Sequence, residues 1–203
     1  MFDEFLSLAK SASERDILMS RKHCHARNVS SIVLKNDGGR LLRAFLAWPG
    51  HRLGNNSPSG SLEVGIHDHK YDLTLSLIAG KVENVIYKQS SDGEYLLQRW
   101  RFQSGVASGT PYAEATTMER LEEVARFTLA HGEQAHMGAN VLHDIECHET
   151  CGWLVQEGET RKSETTLYTS TSVAAIETRG LYESFACKAD VLSHVAEWAS
   201  LVQ

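Results

Sequence analysis

The sequence predicts an all-β protein of antiparallel strands, a sandwich or barrel, with helices confined to its two ends and to one insertion. Three observations carry this. Between Ser30 and Phe102 the chain passes through six short apolar or alternating stretches with no helix between them. Turn residues separate the stretches, most clearly Asn36-Asp37-Gly38-Gly39, where glycine accepts the positive φ that a tight hairpin requires. Connections this short join antiparallel neighbours, because parallel strands need long crossovers.

In chain order, Phe2, Phe5, Leu6 and Ala9 recur at helical spacing, and "SASERD" offers a break or fresh cap before Ile17, so residues 1–22 read as a helical lead-in. Strand-like runs follow: "SIVLK", "RLLRAFLAW", "SLEVGIH", "DLTLSLIAG", "VENVIYKQ" and "EYLLQRWRF". A helix is expected near 116–126. Thr116 and Glu119 have the spacing of a capping box, and Met118, Leu121, Val124 and Ala125 share one helical face. Strands resume with "RFTLA", "QAHM", "VLHDIE", "GWLVQE" and "TTLYTS". Val191, Val195, Trp198 and Val202 then fall at i, i+4, i+7 and i+11, predicting an amphipathic helix over 188–203 that packs on the outside of the sheets or on a partner subunit. With 203 residues and no internal repeat, one domain suffices: lead-in 1–22, barrel 23–180, closing helix 188–203.

A net charge of -6, with basic residues scattered among a larger number of acids, argues against nucleic acid as a partner. No apolar run approaches the ~18 residues that span a bilayer, and "MFDEFLSLAK" is acidic where a signal peptide is basic, so no membrane partner is expected and a cytoplasmic location is. Cys24, Cys147, Cys151 and Cys187 read as free thiols. Cys147 and Cys151 lie near His148, but a zinc site there would need a second ligand pair, for which "HCH" at 23–25 is the one candidate.

The chemistry concentrates in "GIHDHKYDLTLSLIAGKV", residues 65–82. On a strand His67 and His69 project to one face and Asp68 to the other. Two imidazoles form half a metal site. A third ligand must come from a facing strand, and His143 in "LAHGEQAHMGANVLHDI" opens such a strand after a Gly-rich turn. Tyr71 and Asp72 follow the pair, placed either to meet substrate or to serve as core and rim residues.

These two stretches resemble the two sequence motifs of the cupin superfamily. The first matches at His67, His69 and Gly80; the second at Gly132, Gly138, Asn140 and His143, with Gly138 where cupins usually carry proline and Asn140 where they carry glycine. The resemblance implies a jelly-roll barrel and one divalent metal on His67, His69 and His143. The glutamate many cupins add would fall at Leu73 or Thr74, which implies a three-histidine site with Asp72 beside it or occasionally on it. Three-histidine cupins include the thiol dioxygenases, and "GIHDHKYD", "HARNV", "RAFLAWPGH" and "LHDIE" are similar to segments of cysteine dioxygenases. That likeness implies ferrous iron, with zinc, nickel or manganese as alternatives, and a small anionic substrate together with dioxygen. It carries a substrate-carboxylate role to Arg27, otherwise a surface arginine, and an active-site role to Tyr168, otherwise a sheet tyrosine. Thr166 stands where the family has a histidine, and the cysteine that cross-links to the tyrosine in the animal enzymes has no counterpart. A metal-dependent lyase or isomerase and a non-catalytic ligand-binding cupin remain alternatives. Open barrel edges and the apolar closing helix suit a homodimer.

Overall fold

The computed structural model describes residues 1–24, 28–48, 62–63, 65–103, 112–169 and 183–202. The chain begins with helices α1 (Phe2–Ser11) and α2 (Glu14–Ile17), then strands β1 (Arg21–Lys22), β2 (Val29–Asp37), β3 (Arg40–Ala47), β4 (Leu62–Glu63) and β5 (Ile66–His67). The middle comprises β6 (Tyr71–Ala79), β7 (Lys81–Gln89), β8 (Tyr95–Gln103), β9 (Tyr112–Ala130) and β10 (Gln134–Met137). It ends with β11 (Leu142–Cys147), β12 (Cys151–Thr160), β13 (Thr165–Thr169), β14 (Glu183–Ser184) and α3 (Lys188–Leu201). The predicted all-β class holds. Two seven-stranded sheets form, ordered β10-β6-β12-β3-β2-β1-β14 and β4-β11-β5-β13-β8-β9-β7, and every pairing described is antiparallel.

The alternation of each strand sorts its side chains between two cores. In the first sheet Phe45 and Ala47, Leu73, Leu75 and Leu77, and Trp153 and Val155 face inward, where they meet Val82, Leu129, Ile145 and Cys147 of the second. The opposite face of the first sheet presents Ile32, Leu34, Ala44, Leu46 and Ile78 to the helices. Phe5 and Ala9 of α1, Ile17, and Val191, Val195 and Trp198 of α3 cover it. The closing helix therefore spends its apolar stripe within the chain. Trp198 fixes its position: the indole Nε1 donates to the Cys151 carbonyl at 3.1 Å, and the ring lies where Gly152 leaves room.

The local signals at the N-terminal end are met. Ser13 caps α2 by accepting the Asp16 amide at 3.1 Å. Gly38 and Gly39 take φ of 62° and 95°, and Asn36 Oδ1 accepts the Gly39 amide at 2.9 Å, closing the β2–β3 hairpin.

The helix expected near 116–126 is not formed: those residues lie inside β9, a 19-residue strand. Of its supposed apolar face only Leu121 is buried, whereas Met118 and Val124 are 41% and 47% exposed. The cause is a bulge. Ile86 pairs with Ala125 and Tyr87 with Glu123, which leaves Val124 as an extra residue and shifts the alternation by one. A two-residue period with a phase slip imitates a helical period over this length. Pairing with both β7 and β8 satisfies the backbone, and β-branched Thr116, Thr117, Val124 and Thr128 suit it.

Candidate metal centre

His67 and His143 are direct cross-strand partners between β5 and β11, so strand geometry alone puts both imidazoles on the inner face. Their ring centroids are 4.8 Å apart. After His67 the chain leaves the strand, and the His69 amide donates to the Ala139 carbonyl at 3.0 Å, which turns His69 back over the pair. Its centroid is then 4.8 Å from His67 and 5.1 Å from His143, and the two Nε2 atoms of His69 and His143 stand 2.8 Å apart. One ring nitrogen from each of the three histidines falls within 4.8 Å of the others. His143, expected as the third ligand, is thus brought beside the other two histidines.

The proton positions are set from behind. Gly65, at φ 91°, aims its carbonyl at His67 Nδ1, 2.7 Å away. A carbonyl only accepts, so His67 carries its proton on Nδ1 and offers Nε2 unprotonated. Asn84 Oδ1 does the same for His143 Nδ1 at 3.4 Å. Burial is the chief force holding the His67 pKa below its usual value, with the Gly65 carbonyl and Asp68 opposing it, and the neutral imidazole is the metal-binding form. Three imidazoles, two of them with an acceptor behind Nδ1, match the donor set of a divalent transition ion.

Hydrogen bonds from the outer side hold the ligand loops. Asp68, between the two histidines, accepts the Thr166 amide at 2.6 Å and the Lys162 ammonium at 2.5 Å. Asp72 accepts the Ala139 amide at 2.9 Å and the Arg161 guanidinium at 2.8 Å. Asp72 is therefore turned away from the histidines. It supports the site from behind by pinning Ala139, whose carbonyl holds the His69 amide, and it is not directed at the three ring nitrogens because it stands one residue out of phase with Tyr71. Arg161 is the main cause of its lowered pKa, followed by the Ala139 amide.

Tyr71 is brought to the site. Its ring stacks on His69 at 5.9 Å and 26°. Its hydroxyl bonds Arg43 and Glu157, and burial keeps it protonated by raising its pKa. Leu73 faces the apolar interior, and Thr74 faces His136 on the exposed side. His136 therefore does not enter the barrel.

Tyr168 is placed elsewhere. Leu167 pairs with His67 whereas Tyr168 pairs with Ile66, so Tyr168 lies on the other face of the sheet from the histidines. There it packs with Ile66 and Leu121, donates to Glu119 at 2.7 Å and accepts from Gln89 at 3.0 Å. The register corrects the expectation of a role beside the metal. Arg27 lies outside the described residues. Cys24, Cys147 and Cys151 are buried free thiols and Cys187 is an exposed one.

Sequence reasoning passed over Arg43 and Glu157. Arg43 stands in phase with Phe45 and Ala47 on β3, and Glu157 with Trp153 and Val155 on β12, so both charges face the apolar interior. They pair at 2.5 Å. A charge in phase with an apolar strand face was the available signal.

No protein-family model matches the sequence, and no curated protein matches it. Among solved structures it is similar to a hydroquinone 1,2-dioxygenase from Sphingomonas sp. TTNP3 with 4-hydroxybenzoate bound (11% identity, TM-score 0.41, 78% of this chain and 77% of the other). It is also similar to a cupin superfamily protein from Desulfitobacterium hafniense (9%, 0.37, 64% and 78%) and to L-ribose isomerase from Cellulomonas parahominis (15%, 0.36, 94% and 92%). What the site can do is set by this chain's own residues. Among the described residues no helix is long and apolar enough to cross a membrane.

Proposed function

We propose that the protein is a metal-dependent enzyme of the cupin type, a mononuclear non-haem iron dioxygenase acting on a small anionic substrate, with thiol-bearing acids the first candidates. The observation that carries this is the convergence of the His67, His69 and His143 ring nitrogens within 4.8 Å on the inner face of a β-barrel. A divalent ion held there would supply Lewis acidity and, as ferrous iron, a route to dioxygen.

The chain's residues do the rest. Gly65 and Asn84 hold the ring protons of His67 and His143 on Nδ1, so the facing nitrogens stay available. Three ligands from one side leave the opposite side open to substrate. Tyr71 borders that space against His69, with its hydroxyl held by Arg43. Leu73, Phe45, Trp153 and Val155 belong to the packed apolar core against which Tyr71 lies, a surrounding that would keep bulk water from that side.

Elemental analysis of protein purified without added metal tests the site: iron near one per chain supports the reading. Oxygen uptake by ferrous-loaded protein with a panel of thiol acids tests the reaction. Turnover under strict anaerobiosis overturns the dioxygenase in favour of a lyase or isomerase. Absence of metal, with ligand binding unchanged in His67→Ala, favours a non-catalytic binding protein.

A further inference from the structure

Cys147 closes β11 and Cys151 opens β12, with only His148, Glu149 and Thr150 between them. β11 belongs to the second sheet and β12 to the first, so this short turn carries the chain from one sheet to the other. Both thiols are fully buried, and both enter the core between the sheets. Strand parity places them there: Cys147 is in phase with His143 and Ile145, and Cys151 with Trp153 and Val155. The Cys151 thiol donates to the Cys147 sulfur. Cys151 is also held from behind. Trp198 Nε1 donates to its carbonyl at 3.1 Å, and Gly80, at φ 71°, packs so closely that a Cβ there would stand 2.8 Å from Cys151 Cβ. Gly80 joins β6 to β7, which also lie in opposite sheets, so two crossings press together at this thiol.

We propose that Cys147 and Cys151 form a redox-active dithiol, a modification site for small peroxides that closes to a disulfide and ties the two sheets together on the strand bearing His143. The Cys147 sulfur attacks one peroxide oxygen and the O–O bond breaks, the thiol proton passing to the departing alkoxide and a sulfenic acid remaining on Cys147. The Cys151 sulfur then displaces that oxygen, which leaves as water with the Cys151 proton. One S–S bond forms, the two thiols lose two electrons, and the peroxide gains them. The hydrogen bond to Cys147, and then burial, hold the Cys151 pKa well above the ordinary thiol value. This divides the roles: Cys147, which accepts that bond, attacks, and Cys151 resolves. Full burial restricts the site to oxidants close to water in size. The chemistry needs no metal.

The test treats the folded protein with hydrogen peroxide in the presence of a chelator, removes the peroxide with catalase, alkylates the remaining thiols in denaturant and maps the peptides. A bond between Cys147 and Cys151 is expected, with Cys24 and Cys187 outside it, and dithiothreitol should reopen it. Cys151→Ala should stop at a sulfenic acid on Cys147, captured by dimedone. Because a spacing this short also closes in an unfolded chain, the equilibrium against dithiothreitol is measured with and without urea. The disulfide should be favoured at least about tenfold more in the folded protein, which holds the two sulfurs together. Alkylation of both residues after peroxide, pairing of either with Cys24 or Cys187, or an equilibrium no more favourable in the folded protein than in urea overturns the dithiol. So does the absence of a dimedone adduct on Cys147 in folded Cys151→Ala; if that variant does not fold, the unaltered protein decides alone.

Discussion

His69 Nε2 and His143 Nε2 face one another at 2.8 Å although 74 residues separate them in sequence. Two imidazoles at that separation share a proton or an ion, and His67 closes the group from the third side. Adding a divalent ion should therefore raise the thermal midpoint, since a ligand at 1,000 times its Kd stabilises by about 4 kcal/mol. His143→Ala should abolish the metal-dependent rise and the bound metal together. A rise that persists in His143→Ala, measured by scanning fluorimetry with and without chelator, places the ion elsewhere.

Asn84→Leu tests the proton-holding role one step out. Asn84 is fully buried, and its Oδ1 is what keeps the His143 proton away from the metal side. Loss of such a partner should weaken metal binding by about 10- to 100-fold with the ligands themselves intact. Competition with a colorimetric chelator reads the affinity directly. An unchanged affinity would show that strand pairing alone orients His143.

Tyr168→Phe should leave metal affinity unaltered, because the hydroxyl works on the opposite face of the sheet. Its hydrogen bond to Glu119 is instead structural, and its deletion should cost about 1 kcal/mol in urea unfolding. The phenol's pKa is pushed up to about 12, chiefly by burial and then by Glu119, so it stays protonated across the accessible range. Metal release in Tyr168→Phe would show that the hydroxyl acts on the three-histidine group through the sheet.

The contrast shows what strand parity makes legible. His67 takes its face from pairing with His143, and Asp72 is out of phase with Tyr71 by strand parity, whereas His69 lies beyond the end of β5 and joins the group through its amide bond to Ala139. Which face β13 offers to β5 depends on the register Tyr168↔Ile66, set between segments a hundred residues apart. The bulge at Val124 is a second case, because the slip that disguised β9 as a helix is visible only against its partner β7. Arg43 was legible in "RLLRAFLA" as a charge in phase with Phe45, but its pairing with Glu157 on β12 was not.

Gly152 admits the closing helix. A Cβ there would stand 2.5 Å from Trp198 Cζ2 and 2.9 Å from Cη2, inside van der Waals contact with a buried ring held by its own hydrogen bond. Gly152→Ala should destabilise by about 1–3 kcal/mol through overpacking. The thermal midpoint should fall by several degrees, with red-shifted tryptophan emission as the Trp198 indole leaves its slot. A midpoint within a degree of the parent would mean that α3 shifts on the sheet without cost.

His194 makes stability depend on pH at a distance from the metal centre. It sits between Trp48 and Phe185 with its Nε2 2.8 Å from the Ser30 hydroxyl, and burial first, with Lys22 and His23 adding to it, drives its pKa down to about 4. The unfolded chain, with an ordinary histidine, binds this proton more readily than the folded one. Stability is therefore full above about pH 6.5 and is lost as pH falls toward 4. The partial exposure of the ring limits the loss to about 1–2 kcal/mol. Urea midpoints at pH 7 and pH 5 should differ accordingly in the parent, and His194→Gln should flatten that difference while lowering stability at pH 7. An equal pH dependence in both proteins would assign the effect to other groups.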